Sequence, residues 1–143
     1  MTPAQQEMFQ QMPHADQRHC LDIAHTLQER GHTHPALFQA ALLHDVAKSE
    51  GVSLWHRVAV VLLKAFAPGL LTRLAEDRPG SWRYGFYVHR HHPERGAVLA
   101  QATGCDPLAV DLIRRHQESQ PRELSRTPVN ALLSALQEAD EAN

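Results

Sequence analysis

An apolar run from Ala36 to Leu43 ends in two ionisable residues, His44-Asp45, and this junction constrains the fold more than any other feature. A run so apolar belongs in a core, and a buried imidazole and carboxylate are very costly without partners. The fold must bring each a hydrogen-bond partner, or bring the two a shared cation. Further His and Asp residues at helical positions along the chain favour the cation.

Helical periodicity dominates, and no period-two alternation of a strand is visible. Asp16 is expected to begin a helix that carries His19, Ile23 and Leu27 on one face and stops at Gly31. Pro35 suits an early position of a second helix, running through Asp45 to about Lys48. Ser53 to Ala67 reads as a third helix and Pro68 to Leu74 as a short fourth, followed by a turn at Asp77–Ser81. The aromatic stretch Trp82 to Tyr87 fits either a helix or an irregular packing segment. A helix then follows His92-Pro93 to Thr103 and closes at Gly104. Asp106-Pro107 opens another to about Glu118, and Thr127-Pro128 the last, to about Glu141. The expected fold is an all-α bundle of six to eight helices, forming one domain over residues 1–143.

Composition excludes some function classes. The formal net charge of −2 argues against a binder of nucleic-acid polymers or of membrane surfaces. Two cysteines, Cys20 and Cys105, form no disulfide framework, so a reduced, cytoplasmic setting is the expectation. The N-terminus lacks the pattern of a signal peptide. The apolar stretch Val58 to Leu71 is interrupted by Lys64, Pro68 and Gly69 and reads as buried helix, or as the surface of a homodimer. The outlier is eleven histidines, a residue suited to metal binding and to acid–base chemistry.

Several of these histidines point inward. His116 follows Leu112 and Leu108 by four and eight residues, and Asp140 extends the stripe of Val129, Leu132, Leu133 and Leu136. His19 shares a face with Ile23 and Leu27, and His44 one with Ala40 and Leu37. A lone inward His is ordinarily a hydrogen-bonded core residue. Four helices that each aim a metal-capable side chain inward, together with an adjacent His-Asp pair, resemble the way bundle cores build metal sites.

In this order, His19, His44-Asp45 and Asp140 resemble the HD-domain superfamily of metal-dependent phosphohydrolases. The segments His92-Pro93-Glu94-Arg95-Gly96-Ala97, Ile113-Arg114-Arg115-His116 and Ala139-Asp140 resemble further motifs of that family. The likeness spans roughly residues 16–141, while Val52 to His91 matches no family motif. It implies an all-helical fold holding one or two divalent transition-metal ions: iron, manganese, cobalt, nickel or zinc. By the same resemblance His19, His44, Asp45 and Asp140 are the core ligands, His92 and His116 the additional ones, and Asp45 the bridge between two ions. Any of His89, His91 and His92 could ligate as far as the residues alone tell, and the spacing to Gly96-Ala97 selects His92.

The implied reaction is hydrolysis of a small phosphate ester, a nucleotide or a dinucleoside polyphosphate, by metal-activated water. Asp45 and Lys48 would serve it directly, because family members with His-Asp-x-x-Lys place the lysine on phosphate. Lys48 is also expected on the same side of its helix as Asp45. Two alternatives stay open: a one-metal nucleoside 5′-monophosphate phosphatase, and a catalytically idle, metal-holding module that binds a nucleotide or a protein. Cys20 is expected to point away from the site and pack. Arg18, Arg57 and Arg95 are weaker candidates for phosphate contact. His14, His25, His32, His34 and His56 are assigned to the surface or to caps.

Overall fold

The structure is a computed structural model that describes residues 1–49, 59, 62–63, 70, 77–78, 81, 83–118 and 127–143. The helices expected over Ser53 to Ala67 and Pro68 to Leu74, and Trp82, Arg57 and His56, lie outside the described residues or nearly so. Among the described residues all regular structure is helical: α1 (Pro3–Gln10), α2 (His14–Glu29), α3 (Pro35–Leu43), a 3-10 turn (Val46–Ser49), α4 (Tyr84–Ala102), α5 (Pro107–Arg115) and α6 (Pro128–Ala142). None of these helices is long and apolar enough to cross a membrane.

By packing, the chain divides into two compact units: Met1–Val46 with Pro93–Asn143, and Ala47–His92. Helix α4 contributes its residues through His92 to the second unit and the rest to the first.

In the first unit α3 is central and touches α2, α5 and α6. Its composition explains this: Ala36, Leu37, Ala40, Ala41 and Leu43 are all buried, and a helix apolar on most sides has to be surrounded. Pro35 at its start and the His34 side chain, which accepts from the Ala36 N–H, fix where it begins. Ile23, Leu27, Leu112, Ile113, Leu133 and Leu136 of its neighbours are fully buried with its own Leu37 and Leu43. Each such side chain contributes about 1.5–3 kcal/mol through its removal from water.

Local chemistry sets the helix ends. Asp106 and Thr127 cap α5 and α6, each followed by proline. Helices α2 and α4 close in Schellman motifs. Gly31 (φ +81°) donates to Gln28 O while His32 donates to Leu27 O, and Gly104 (φ +72°) donates to Gln101 O while Cys105 donates to Ala100 O. Both glycines hold a left-handed conformation that a side chain would strain.

Five boundaries differ from the sequence expectation, one of them the end of α5, which stops at Arg115 rather than near Glu118. Helix α1 is additional, begun by a capping box between Thr2 and Gln5. Helix α2 starts at His14, two residues before Asp16. Helix α3 stops at Leu43, because His44 turns its ring back onto its own helix. Helix α4 starts at Tyr84 and runs through Pro93, which forgoes one backbone hydrogen bond.

In the second unit Phe86 and Val88 are buried on α4, and Tyr84 stacks on Tyr87 with ring centroids 6.0 Å apart. The His91 ring lies against Tyr87, at 4.3 Å between centroids.

Candidate metal centre

Two helix C-termini supply the buried imidazoles. His44 caps α3 and His116 caps α5. In each, Nδ1 reaches the carbonyl three residues back: Ala41 O at 3.0 Å and Ile113 O at 2.7 Å. A carbonyl only accepts, so Nδ1 carries the hydrogen in both rings. The Nε2 of the neutral ring is then left with its lone pair. This is how a backbone carbonyl orients an imidazole and fixes the tautomer that ligates a metal.

The other donors converge on these rings from the same unit. His44 Nε2 lies 3.5 Å from Asp45 Oδ1 and 3.7 Å from Asp140 Oδ1. His19 Nε2, from α2, lies 3.0 Å from Asp140 Oδ1 on α6. His116 Nε2 lies 3.9 Å from Asp45 Oδ1. The ring centroids of His44 are 5.7 Å from those of His19 and 5.1 Å from those of His116, the latter edge to face. His44, Asp45 and His116 are buried, whereas the side chains of His19 and Asp140 are 27% and 29% exposed.

One atom makes the electrostatic demand plain. His44 Nε2 is buried and makes no hydrogen bond, yet it faces two carboxylate oxygens. A lone pair set against two anionic oxygens is unfavourable unless a positive charge lies among them, either a proton on the nitrogen or a cation. Burial pulls the His44 pKa down, but the charge of Asp45 and contacts with Asp140 and Cys20 outweigh it and hold the value well above that of an ordinary histidine. Burial likewise pushes the Asp140 carboxyl up, and the hydrogen bond to His19 together with the nearby His44 ring overrides it, holding the group far below the usual carboxylate range.

Spacing fits a transition-metal ion. Bonds of about 2.1 Å place neighbouring donor atoms about 3.0 Å apart in an octahedron and about 3.4 Å apart in a tetrahedron. The observed separations run from 3.0 to 3.9 Å. Two trios have all their donor atoms within 4.8 Å of one another: His19, His44 and Asp140, and His44, Asp45 and His116. His44 belongs to both, but one ring nitrogen ligates one ion, whereas a carboxylate has two oxygens and can bridge. The residues therefore suit an ion held by His19, His44 and Asp140 or one held by His44, Asp45 and His116, with His44 ligating in only one of the two.

Five of the six expected ligands thus come together in one unit. His92 and Lys48 belong to the other unit. His92 is buried on α4, one residue before the boundary. Lys48 lies in the 3-10 turn, so the α-helical spacing that would set it beside Asp45 does not apply. His34 is a cap, as expected, and His25 is exposed with Glu29 3.7 Å away. Arg18 is exposed.

Three contacts were not singled out from sequence. Cys20 is buried and packs, as expected, yet its Sγ sits 3.9 Å from His44 Nδ1 rather than pointing away from the site. Gln137 donates to His116 O at 3.0 Å; the only sequence hint is its place one turn before Asp140 on α6. The last turn of α6 is held by Asn143, whose amide donates to Ala139 O at 2.8 Å and to Thr26 Oγ1 at 3.0 Å. These bonds tie Asp140's turn to α2, the helix of His19. Gly96 of α4 lies beside the same region: a Cβ there would make ordinary contacts, 3.5 Å from His44 O and 3.4 Å from Ile113 Cγ2.

No protein-family model matches this chain, and no curated protein or solved structure matches it.

Proposed function

We propose that this protein is a metal-dependent phosphohydrolase of the HD-domain kind, acting on a small phosphate ester such as a nucleotide or a dinucleoside polyphosphate. The observation that carries the reading is His44 Nε2, buried, without a hydrogen bond and facing the oxygens of Asp45 and Asp140. A divalent ion bound there would supply Lewis-acid polarisation of a phosphoryl oxygen and activation of water.

The chain's own residues supply the rest. His44 and His116 are locked by their carbonyl bonds, so their ligating nitrogens need no reorganisation. Asp45 and Asp140 balance the charge of one divalent ion. A second ion beside Asp45 and His116 would leave the centre positive and suited to a polyanionic phosphate.

The test uses purified protein, stripped with chelator and reloaded with Mn²⁺, Co²⁺ or Fe²⁺. A panel of phosphomonoesters, nucleoside mono-, di- and triphosphates and dinucleoside polyphosphates is then assayed by chromatography. The expected outcome is metal-dependent turnover of at least one nucleotide, lost in a folded Asp45→Ala variant. No turnover anywhere on the panel, with nucleotide still bound, would make the chain an idle binding module instead.

A further inference from the structure

A helix end leaves its last carbonyls without intrahelical partners, and the end of α5 is where His116 stands. Its carbonyls are met in an unusual way. Ile113 O takes the hydrogen of the His116 ring at 2.7 Å, and Arg115 O accepts from the Glu118 N–H at 2.8 Å. The next carbonyls are reached from another helix. Gln137 Nε2, on α6, lies 3.0 Å from His116 O and 2.9 Å from Glu118 O, with Arg115 O at the edge of reach at 3.5 Å.

The chemistry is unambiguous about which end of the amide faces these atoms. Carbonyl oxygens only accept, so the NH₂ group must point at them, and its two hydrogens match the two short contacts. Gln137 also lies one helical turn before Asp140. A single side chain thus joins the turn that carries one buried imidazole to the helix that carries a carboxylate of the same centre.

We infer that Gln137 is a positioning residue for the metal centre, setting His116 against the ligands by holding the backbone of its turn to α6. It touches neither ion nor substrate and acts through His116. Arg115 supports the same turn from outside, donating to Asp111, to Glu118 and to Asn130 of α6, each at 3.1 Å. The inference rests on the reading of this cluster as a metal site.

Groups that orient ligands typically change metal affinity by about 10–100-fold when removed. Gln137→Met keeps the length and removes both donors. Gln137→Lys keeps donors for carbonyls at a helix C-terminus, where a cation is favoured. The measurement is Co²⁺ affinity by competition with a chromophoric chelator, together with the ligand-field absorption of the Co²⁺ complex, below the melting temperature of each variant. Gln5→Ala is the stability control, because Gln5 is buried and bonds Thr103 O, within the same unit but outside the cluster.

The expected result is roughly tenfold or greater weakening with an altered spectrum in Gln137→Met. Gln137→Lys should restore most of the affinity, and Gln5→Ala should lower the melting temperature without changing it. Unchanged affinity and spectrum in a destabilised Gln137→Met would make the residue merely structural and leave the metal reading standing. A wild-type protein that takes up no Co²⁺ would overturn the metal reading, and this inference with it. Should Gln137→Met not fold, the wild type decides. Coupling is reciprocal, so loading Zn²⁺ should slow solvent exchange of the Gln137 side-chain amide by a similar factor, and unchanged exchange would refute the inference.

Discussion

Lowering the pH should expel the ion from the centre, because His44 keeps a proton where the ion would sit. Asp45 Oδ1 is 3.5 Å from His44 Nε2, and at an effective dielectric constant of about 20 a unit charge at that distance favours the imidazolium by about 5 kcal/mol. Burial opposes this, and the net direction is upward from 6.5. An ion must therefore displace a proton, and affinity should fall at least about tenfold per pH unit below the pKa of His44, or about 1.4 kcal/mol.

The linkage has a definite sign. A raised pKa gives metal-free protein a contribution from His44 that is fully present below about pH 6.5 and is lost as the pH rises through the folded value. Metal-loaded protein, whose His44 carries no proton, gains as the pH rises to about 6.5 and is level above it, so the difference grows throughout. The gap in melting temperature between loaded and stripped protein should widen by roughly 3–6 °C per unit from pH 6 to 7. Co²⁺ titration and thermal melts at pH 6.0, 6.5 and 7.0 measure both effects. A Co²⁺ affinity that does not change with pH, or a gap that narrows as the pH rises, would refute the charge state assigned to His44.

Other outcomes follow from packing and charge. Leu136→Ala removes a fully buried side chain and should cost about 2–5 kcal/mol by denaturant unfolding; a loss under 1 kcal/mol would mean that α6 is loosely packed. Gly96→Ala should be neutral or stabilising by up to about 1 kcal/mol, since its Cβ would meet neighbours only at 3.4 Å and beyond and helix propensity rises. A loss of several kcal/mol there would mean that α4 lies closer to His44. Asp140, held low, contributes stability that is present above about pH 3.8 and lost as the pH falls through its folded value. Asp140→Asn should therefore flatten the acid limb of stability in metal-free protein, and an unchanged limb would contradict its pairing with His19.

Much of this was legible in the sequence where a residue acts through its own helix. Periodicity placed His19, His116 and Asp140 on inward faces, and cap-plus-proline signals located α5 and α6, because both depend on neighbours three or four positions away. The stop of α3 was not legible: a ring that folds back on Ala41 O competes with helix continuation only once Asp45 and Asp140 are beside it. Nor was the role of Gln137, whose bonds reach 19 to 22 positions back along the chain. Pro93 misled the reading of α4, because a proline signals a helix start far more often than a helix interior.

The most direct test of the central claim is the metal content of each purified chain after stripping and reloading, measured by elemental analysis. Wild type should hold one to two ions per chain, while folded His44→Ala and Asp45→Ala hold well under half of that. Wild type that holds none, or variants that hold as much as wild type, would show that the convergence of His19, His44, Asp45, His116 and Asp140 is not a metal centre.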